Sequence, residues 1–183
     1  LPTNQRLQFL AGQYIDILLK DGKRRSFSLA NAPHDDEYLE LHARNYPGGV
    51  FTEHVFTNMK VKDMLRFTGP LGSFFLRDTP EECSIIFLAS GTGFAPIKSI
   101  LEHVFHQEGG RHRKRNMTLY WGARTKSDLY LADLADKWQR EHDNFTFIPV
   151  LSEPLPSDNW QGRTGLVHQA VMHDFLSLEM HQV

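Results

Sequence analysis

The chain has 183 residues, enough for one large or two modest domains with cores of their own. Its 20 Lys+Arg against 22 Asp+Glu give a net charge of -2, so no global field draws it to nucleic acid or to an anionic membrane, and neither is expected as a partner. A single cysteine, Cys83, excludes an internal disulfide framework and a Cys-rich metal or iron–sulfur site within these residues. The longest strongly apolar run is Ile85 to Ala89, and Leu1 onward lacks a basic-then-apolar leader, so a cytoplasmic chain in a reducing compartment is expected.

Up to Arg77 the signals are short strands separated by turn residues: "GQYIDILL", "RSFSLAN", "YLELHARN", "DMLRFTG" and "SFFL", with "DG", "PGG" and "GPLG" between them. Such a run predicts a small antiparallel β-barrel over residues 1–79. One helix interrupts it, starting near Val50, with Phe51, Val55 and Phe56 at helical spacing. From Glu81 strands and helices alternate: "SIIFLA", "FAPIKSILEHVF", "MTLYWG", "LADLADKWQREH", "FTFIPVL" and "TGLVHQAVMHDFL". That grammar predicts an α/β domain over residues 80–183, a parallel sheet with helices on both faces, with the boundary in "RDTPEE" at 77–82. The final "MHQV" reads as the approach to a further strand.

Two stretches carry chemistry. In "LASGTGFAPIKSI" a buried strand runs into Gly91-Thr92-Gly93 and then a helix with Pro96 in its first turn. Glycines let the backbone approach a pyrophosphate, and the free N–H groups and dipole of the helix start attract its charge. A tight strand-to-helix turn needing glycine for geometry alone is the competing account. Ligands of open parallel sheets bind beyond the carboxyl ends of the strands, which also selects Gly122 to Asp128 and Leu151 to Pro154. In "RRSFSLANAP", fixed positive charge precedes an aromatic flanked by hydroxyls. Alone, this reads as an amphipathic strand with solvated arginines. Beside a second glycine-preceded helix start, Gly49 to Thr52, it reads as a site in which Arg25 neutralises a phosphate, Phe27 lies against a planar ring and Ser28 bonds the ring edge. Two nucleotide-like ligands meeting at a cleft are then expected.

The remaining polar features are read as structural. The cluster Arg111 to Arg115 leads into the amino end of a strand and is expected to be a solvated turn. His103 and His106 sit three apart on a helix without an acidic or Cys partner, so they are expected at the surface and no metal site is predicted. Cys83 is expected to pack.

The order "RSFS", "PGGVFT", "GPLG", "GTGFAP" and "YWGAR" resembles the ferredoxin-NADP reductase superfamily, most closely its oxygenase-reductase and flavin-reductase branch. The later "WQGRTGLVHQAV" resembles sequences of the CDP-6-deoxy-glucoseen reductase type, in which an iron–sulfur ferredoxin domain often precedes the flavin module. The resemblance implies a flavoprotein that passes hydride from NAD(P)H to bound FAD and then electrons to an iron–sulfur, ferredoxin or oxygenase-type acceptor. It implies that Arg25, Ser26, Phe27 and Ser28 form the flavin motif, with the Ser28 hydroxyl near flavin N5 as the catalytic group. His42, Ala43 and Arg44 match the strand lining the flavin, and Gly49, Val50, Phe51 and Thr52 the loop holding the FAD pyrophosphate. Gly91, Thr92, Gly93 and Pro96 match the nicotinamide-nucleotide loop, and Gly122, Ala123, Arg124, Ser152 and Glu153 the adenosine end.

Against the family pattern, the first barrel strands are missing before Leu1, and the chain stops ahead of the Cys-Gly segment that normally lies by the nicotinamide. NADP-preferring members tend to carry arginine where this chain has Glu153. A carboxylate there suits a free ribose 2'-OH and opposes a 2'-phosphate, so NADH is expected to be slightly preferred, with Arg124 and Lys126 acting the other way. Two rival functions stay open at this point: a flavin reductase using free flavin as substrate, and a non-catalytic nucleotide-binding module.

Overall fold

The computed structural model describes residues 5–183. Its contacts divide the described residues into two compact units, one of residues 5–76 with Ala95–His106 and one of Arg77–Phe94 with Gln107–Val183.

In the first unit, β1 (Tyr14–Leu18), β2 (Arg24–Ser28) and β3 (Arg66–Leu71) form an antiparallel sheet in the order β2-β1-β3, and α1 spans Val50–Thr57. Strand β1 alternates as a half-buried strand should: Ile15 and Ile17 are sealed in the core while Tyr14, Asp16 and Leu18 are only partly covered. The core joins them to Phe9, Leu29 and Phe51, with Phe27 and Phe67 packed against its edge.

Of the expected antiparallel barrel, the described residues show this three-stranded sheet. Two expected strands do not form. "YLELHARN" contributes one antiparallel bridge, Leu41 to Leu29. The ladder stops because the Asn31 side chain takes over: its Oδ1 accepts the Glu40 N–H at 2.9 Å, while its Nδ2 donates to the Asp35 and Tyr38 carbonyls. "SFFL" runs beside Gly12 but joins no ladder; the Phe75 N–H turns back to the Ser73 carbonyl at 3.2 Å.

The second unit is a five-stranded parallel sheet in the order β7-β6-β5-β4-β8. Its strands are β4 (Ser84–Ser90), β5 (Met117–Ala123), β6 (Phe145–Leu151), β7 (Arg163–Thr164) and β8 (His181–Gln182). Strand β8 lies in the "MHQV" anticipated as a strand approach; β7, two residues long, carried no readable period. Helices α3 (Ala132–Glu141) and α4 (Val167–Asp174) cover the sheet. Alternation along β5 separates them: Tyr120 packs with Ile86 and with Val171 of α4, whereas Trp121 faces the aromatic group of Phe94, Tyr130 and Phe147, where Trp138 of α3 meets Phe94.

Helix α2 (Phe94–His106) forms where the sequence predicts a helix, and from Ala95 onward it groups with the first unit. Lys98 and Ser99, both buried, bond the carbonyls of Ala30 and Asn31, and the His106 ring stacks on His34 with centroids 3.7 Å apart. His106 is therefore a stacking residue, and burial together with its proximity lowers the pKa of His34.

The basic cluster forms the expected turn, Arg111–Lys114 winding as a 3-10 helix, but its last arginine is buried. Arg115 is not solvated but 1% exposed, donating to the Cys83 and Ser84 carbonyls, where β4 begins, and to Gln182 of β8. Arg111 is tied to Asp78 and to the Thr79 carbonyl.

Candidate flavin and nucleotide sites

In the first unit, β2 places Arg25 and Phe27 on one face and Arg24, Ser26 and Ser28 on the other. The Arg25 guanidinium is exposed and touches the Arg24 carbonyl at 2.8 Å. Phe27 packs on the core edge, its ring 5.3 Å from that of Phe51, so the strand and the start of α1 come together there. Phe51 is itself a core residue, 5% exposed, which leaves its main chain and not its ring for a ligand. Helix α1 opens at Val50. Gly49, its N-cap, has no side chain to offer and no side-chain cap bond forms; a Cβ at Gly49 would lie 2.4 Å from Thr52 Oγ1 and 2.9 Å from the Tyr46 carbonyl. The start of α1 is thus kept bare and tightly wound, with Thr52 Oγ1 bonded back to the Gly49 carbonyl at 3.1 Å.

The two serines of the motif differ. Ser26 Oγ donates to Asp16 Oδ1 across the β1–β2 pair at 2.7 Å, a bond internal to the sheet, and Asp16 also faces Arg24. Ser28 is half-buried, and its hydroxyl makes no hydrogen bond among the described residues. Ala43 and Arg44 continue the irregular segment after Leu41. His42 is held: its Nε2 bonds Glu40 Oε1 at 2.8 Å, and its side chain is 9% exposed. Burial would raise the pKa of Glu40, but hydrogen bonds from Lys98 and His42 outweigh it and hold that carboxyl below its ordinary value. Glu102, more deeply covered, is pushed up by burial despite its bond to Lys98.

In the second unit, Gly91–Gly93 form a 3-10 turn directly between β4 and α2, whose third residue is Pro96. Gly91 has φ +52°, a conformation that glycine adopts freely, and neither Gly91 nor Gly93 would bring a Cβ into contact with anything. The turn is anchored from the neighbouring strand. Trp121, fully buried, donates Nε1–H to the Gly91 carbonyl at 2.9 Å and stacks on Phe94 at 4.0 Å. Nothing in a Gly-x-Gly pattern announces that anchor, although the "YWGAR" motif contained it.

The loops after β5 and β6 meet at the same carboxyl edge. The Ser152 and Glu153 N–H groups bond the Ala123 and Arg124 carbonyls, each at 2.9 Å, and exposed Arg124 faces exposed Glu153 at 3.9 Å. Gly122 has a packing role: a Cβ there would lie 2.7 Å from Val167 Cβ, so α4 seats directly on β5. Asp158 Oδ2 accepts the N–H of Lys126 at 3.2 Å and of Leu155 at 2.9 Å, joining the loop after β5 to the loop after β6.

Sequence reasoning also missed the support beneath this edge. Asp174 at the end of α4 accepts from Tyr120 Oη at 2.5 Å and from Arg163 Nη1 at 2.7 Å, while the Arg163 carbonyl takes Trp160 Nε1–H at 2.8 Å. Burial and the bond to Asp174 push the Tyr120 phenol above its ordinary range. Burial alone would raise Asp174, but its donors, Arg163 first, hold it down to about 2. No group of three His, Cys, Asp or Glu among the described residues could hold a metal ion.

These arrangements fit the expected ligands. An uncapped helix start, an exposed guanidinium and an uncommitted hydroxyl suit a flavin nucleotide in the first unit. A glycine turn opening a helix at the carboxyl edge of a parallel sheet suits a dinucleotide in the second.

Comparison with known proteins agrees domain by domain. Residues 1–76 match the family described as oxidoreductase FAD-binding domain, and residues 87–183 the oxidoreductase NAD-binding domain. The chain is 40% identical over 183 residues to the CDP-6-deoxy-L-threo-D-glycero-4-hexulose-3-dehydrase reductase of Yersinia pestis, covering all of this chain and 53% of that protein. It is 39% identical over 186 residues to a terephthalate 1,2-dioxygenase reductase component of Comamonas sp., covering 100% of this chain and 52% of that protein. Among solved structures, the Amycolatopsis cytochrome P450 reductase GcoB superposes with a TM-score of 0.85 at 35% identity, over 98% of this chain and 53% of that one. The chain thus spans about half the length of the relatives it matches. With an FAD-binding domain followed by an NAD-binding domain, it belongs to the ferredoxin reductase-like superfamily of FAD- and NAD(P)-binding oxidoreductases, and it is similar to the CDP-hexulose and oxygenase reductases of that superfamily.

Proposed function

We propose that this chain is the flavin- and nucleotide-binding portion of an NAD(P)H-dependent reductase that delivers electrons to an iron–sulfur, ferredoxin or oxygenase-type acceptor. The supporting observation is the pairing, in one chain, of the β2–α1 site with the glycine turn between β4 and α2. FAD, when bound, supplies the conversion of a hydride into single electrons. The protein's own residues bind and orient. Arg25 and the main chain from Gly49 to Thr52 hold the phosphates, and the Ser28 hydroxyl is available to bond flavin N5 as charge and a proton accumulate there. The main chain of Gly91 to Gly93, at the start of α2, holds the nicotinamide nucleotide's pyrophosphate. Ser26 is omitted from the ligand set because its side chain is engaged by Asp16.

Two finer points belong to the same reading. Retained FAD is favoured over free flavin as substrate because the bare start of α1 is a dedicated phosphate cradle. NADH is favoured over NADPH because Glu153 at the adenosine end offers a carboxylate to a ribose 2'-OH, which Arg124 offsets in part.

The test is to reconstitute the purified chain with FAD, remove unbound flavin and add NADH or NADPH anaerobically. The expected result is a yellow protein whose visible absorption bleaches, faster with NADH, and which then reduces a one-electron acceptor. A protein that keeps no flavin, or keeps it and never bleaches, overturns the proposal.

A further inference from the structure

Helix α2 buries a full charge. Lys98 is 6% exposed, and its three ammonium protons meet three acceptors: the Ala30 carbonyl at 3.2 Å, Glu40 Oε2 at 2.9 Å and Glu102 Oε2 at 3.0 Å. The next residue, Ser99, is fully buried and donates to the Asn31 carbonyl at 2.7 Å. Glu40 passes the connection on, since its other oxygen binds His42 Nε2 at 2.8 Å. The helix therefore grips the chain two and three residues beyond Ser28 and, through Glu40, sets the ring of His42. Stability alone does not call for such an arrangement, because well-packed apolar side chains commonly serve as well as a buried ion group or better. What the ions add is direction: each bond fixes one atom of a segment that leads into the flavin site.

We propose that Lys98 is a positioning residue for the flavin, fixing where β2 delivers Ser28 and how Glu40 orients His42, and contributing its charge to the flavin's surroundings. The inference rests on the flavin reading given above. Ala30, whose carbonyl Lys98 meets at 3.2 Å, lies two residues past Ser28, roughly 7 Å along an extended chain. From beyond that span a unit charge in a partly buried setting still biases a ligand that becomes more negative on reduction.

The experiment uses the FAD-reconstituted chain and its Lys98→Met, Lys98→Arg, Glu40→Gln and Ser99→Ala variants. It measures the flavin midpoint potential by dye equilibration without NAD(P)H, the visible circular dichroism of the bound flavin, and urea unfolding. Lys98→Met should weaken binding of reduced relative to oxidised FAD about tenfold, a fall of about 30 mV for a two-electron couple, and Lys98→Arg should restore most of it. Glu40→Gln, which removes a negative charge from the same cluster, should move the potential upward. Ser99→Ala, which removes one anchor of the same segment but no charge, should lower stability and alter the flavin's visible circular dichroism while moving the potential less than Lys98→Met. A Lys98→Met protein with unchanged potential and spectrum, or Lys98→Met and Glu40→Gln shifts of the same sign, would show that the cluster only holds the fold. Should Lys98→Met fail to fold, an unchanged or lowered potential in Glu40→Gln would still overturn the proposal. A wild-type chain that takes up no FAD refutes the function above, whereas a yellow wild type with unmoved variants refutes only this inference.

Discussion

Replacing Trp121 by Phe isolates one bond. The phenyl ring can keep the stack on Phe94, now 4.0 Å between centroids, but the donor that reaches the Gly91 carbonyl at 2.9 Å is lost. Leaving a carbonyl unsatisfied costs about 1–3 kcal/mol when it is buried. Gly91 is half-buried, so water recovers part of this and about 1–2 kcal/mol is the working figure. That energy now holds the turn in one conformation, with Gly91 at φ +52°. Released, the turn is competent to cradle a pyrophosphate for a smaller fraction of the time, and apparent affinity falls by that fraction, roughly 5- to 30-fold. The bond is present before and during hydride transfer alike, so KM for NADH should rise while kcat stays near wild type. Steady-state assays with a one-electron acceptor, paired with urea unfolding, separate the two effects. A loss of stability of the expected size with KM unmoved would show that the turn keeps its shape without Trp121.

Ser28→Ala should slow anaerobic flavin reduction by about tenfold to a hundredfold, the equivalent of one hydrogen bond that strengthens toward the transition state. FAD should stay bound; an unchanged stopped-flow rate in a yellow mutant would make Ser28 an ordinary strand residue. Glu153→Ala should shrink the NADH-to-NADPH ratio of kcat/KM about 3- to 10-fold, a modest effect because this exposed carboxylate is screened by solvent, and a constant ratio would remove Glu153 from the adenosine site. Asp174, held at about 2 in the folded chain, should contribute about 1–2 kcal/mol of stability that is fully present above about pH 4 and disappears as pH falls toward 2. Urea midpoints measured down that range should converge for wild type and Asp174→Asn, and parallel curves would sink the linkage.

The parallel sheet was legible because its strands are continuous apolar runs and its glycine turn sits where a strand gives way to a helix. Both signals are local. The antiparallel unit was harder, since strand formation in "YLELHARN" was decided by the side chain of Asn31, nine residues away from the Glu40 N–H it captures. The anchoring of α2 was illegible for a related reason: Lys98 and Ser99 bond the carbonyls of Ala30 and Asn31, contacts that no local period announces. At the sites, motif residues could be named because glycines and a strand's alternation constrain backbone. Their supports, Trp121 under Gly91 and Asp174 under Tyr120 and Arg163, are set by contacts between strands and helices far apart in sequence.

The Asp158 carboxylate, which receives the main-chain N–H groups of Lys126 and Leu155, bears on how this scaffold can be re-engineered. On the function proposed above, the loops after β5 and β6 are the targets for changing which nucleotide is accepted, and a designer would ordinarily graft one at a time from a donor of the desired preference. Here a graft of residues 125–128 alone carries a loop shaped for a different clasp, and a graft of 152–158 alone discards the clasp itself. The two segments are one exchangeable cassette, to be transplanted together or altered only at the outward-facing side chains of Arg124 and Glu153.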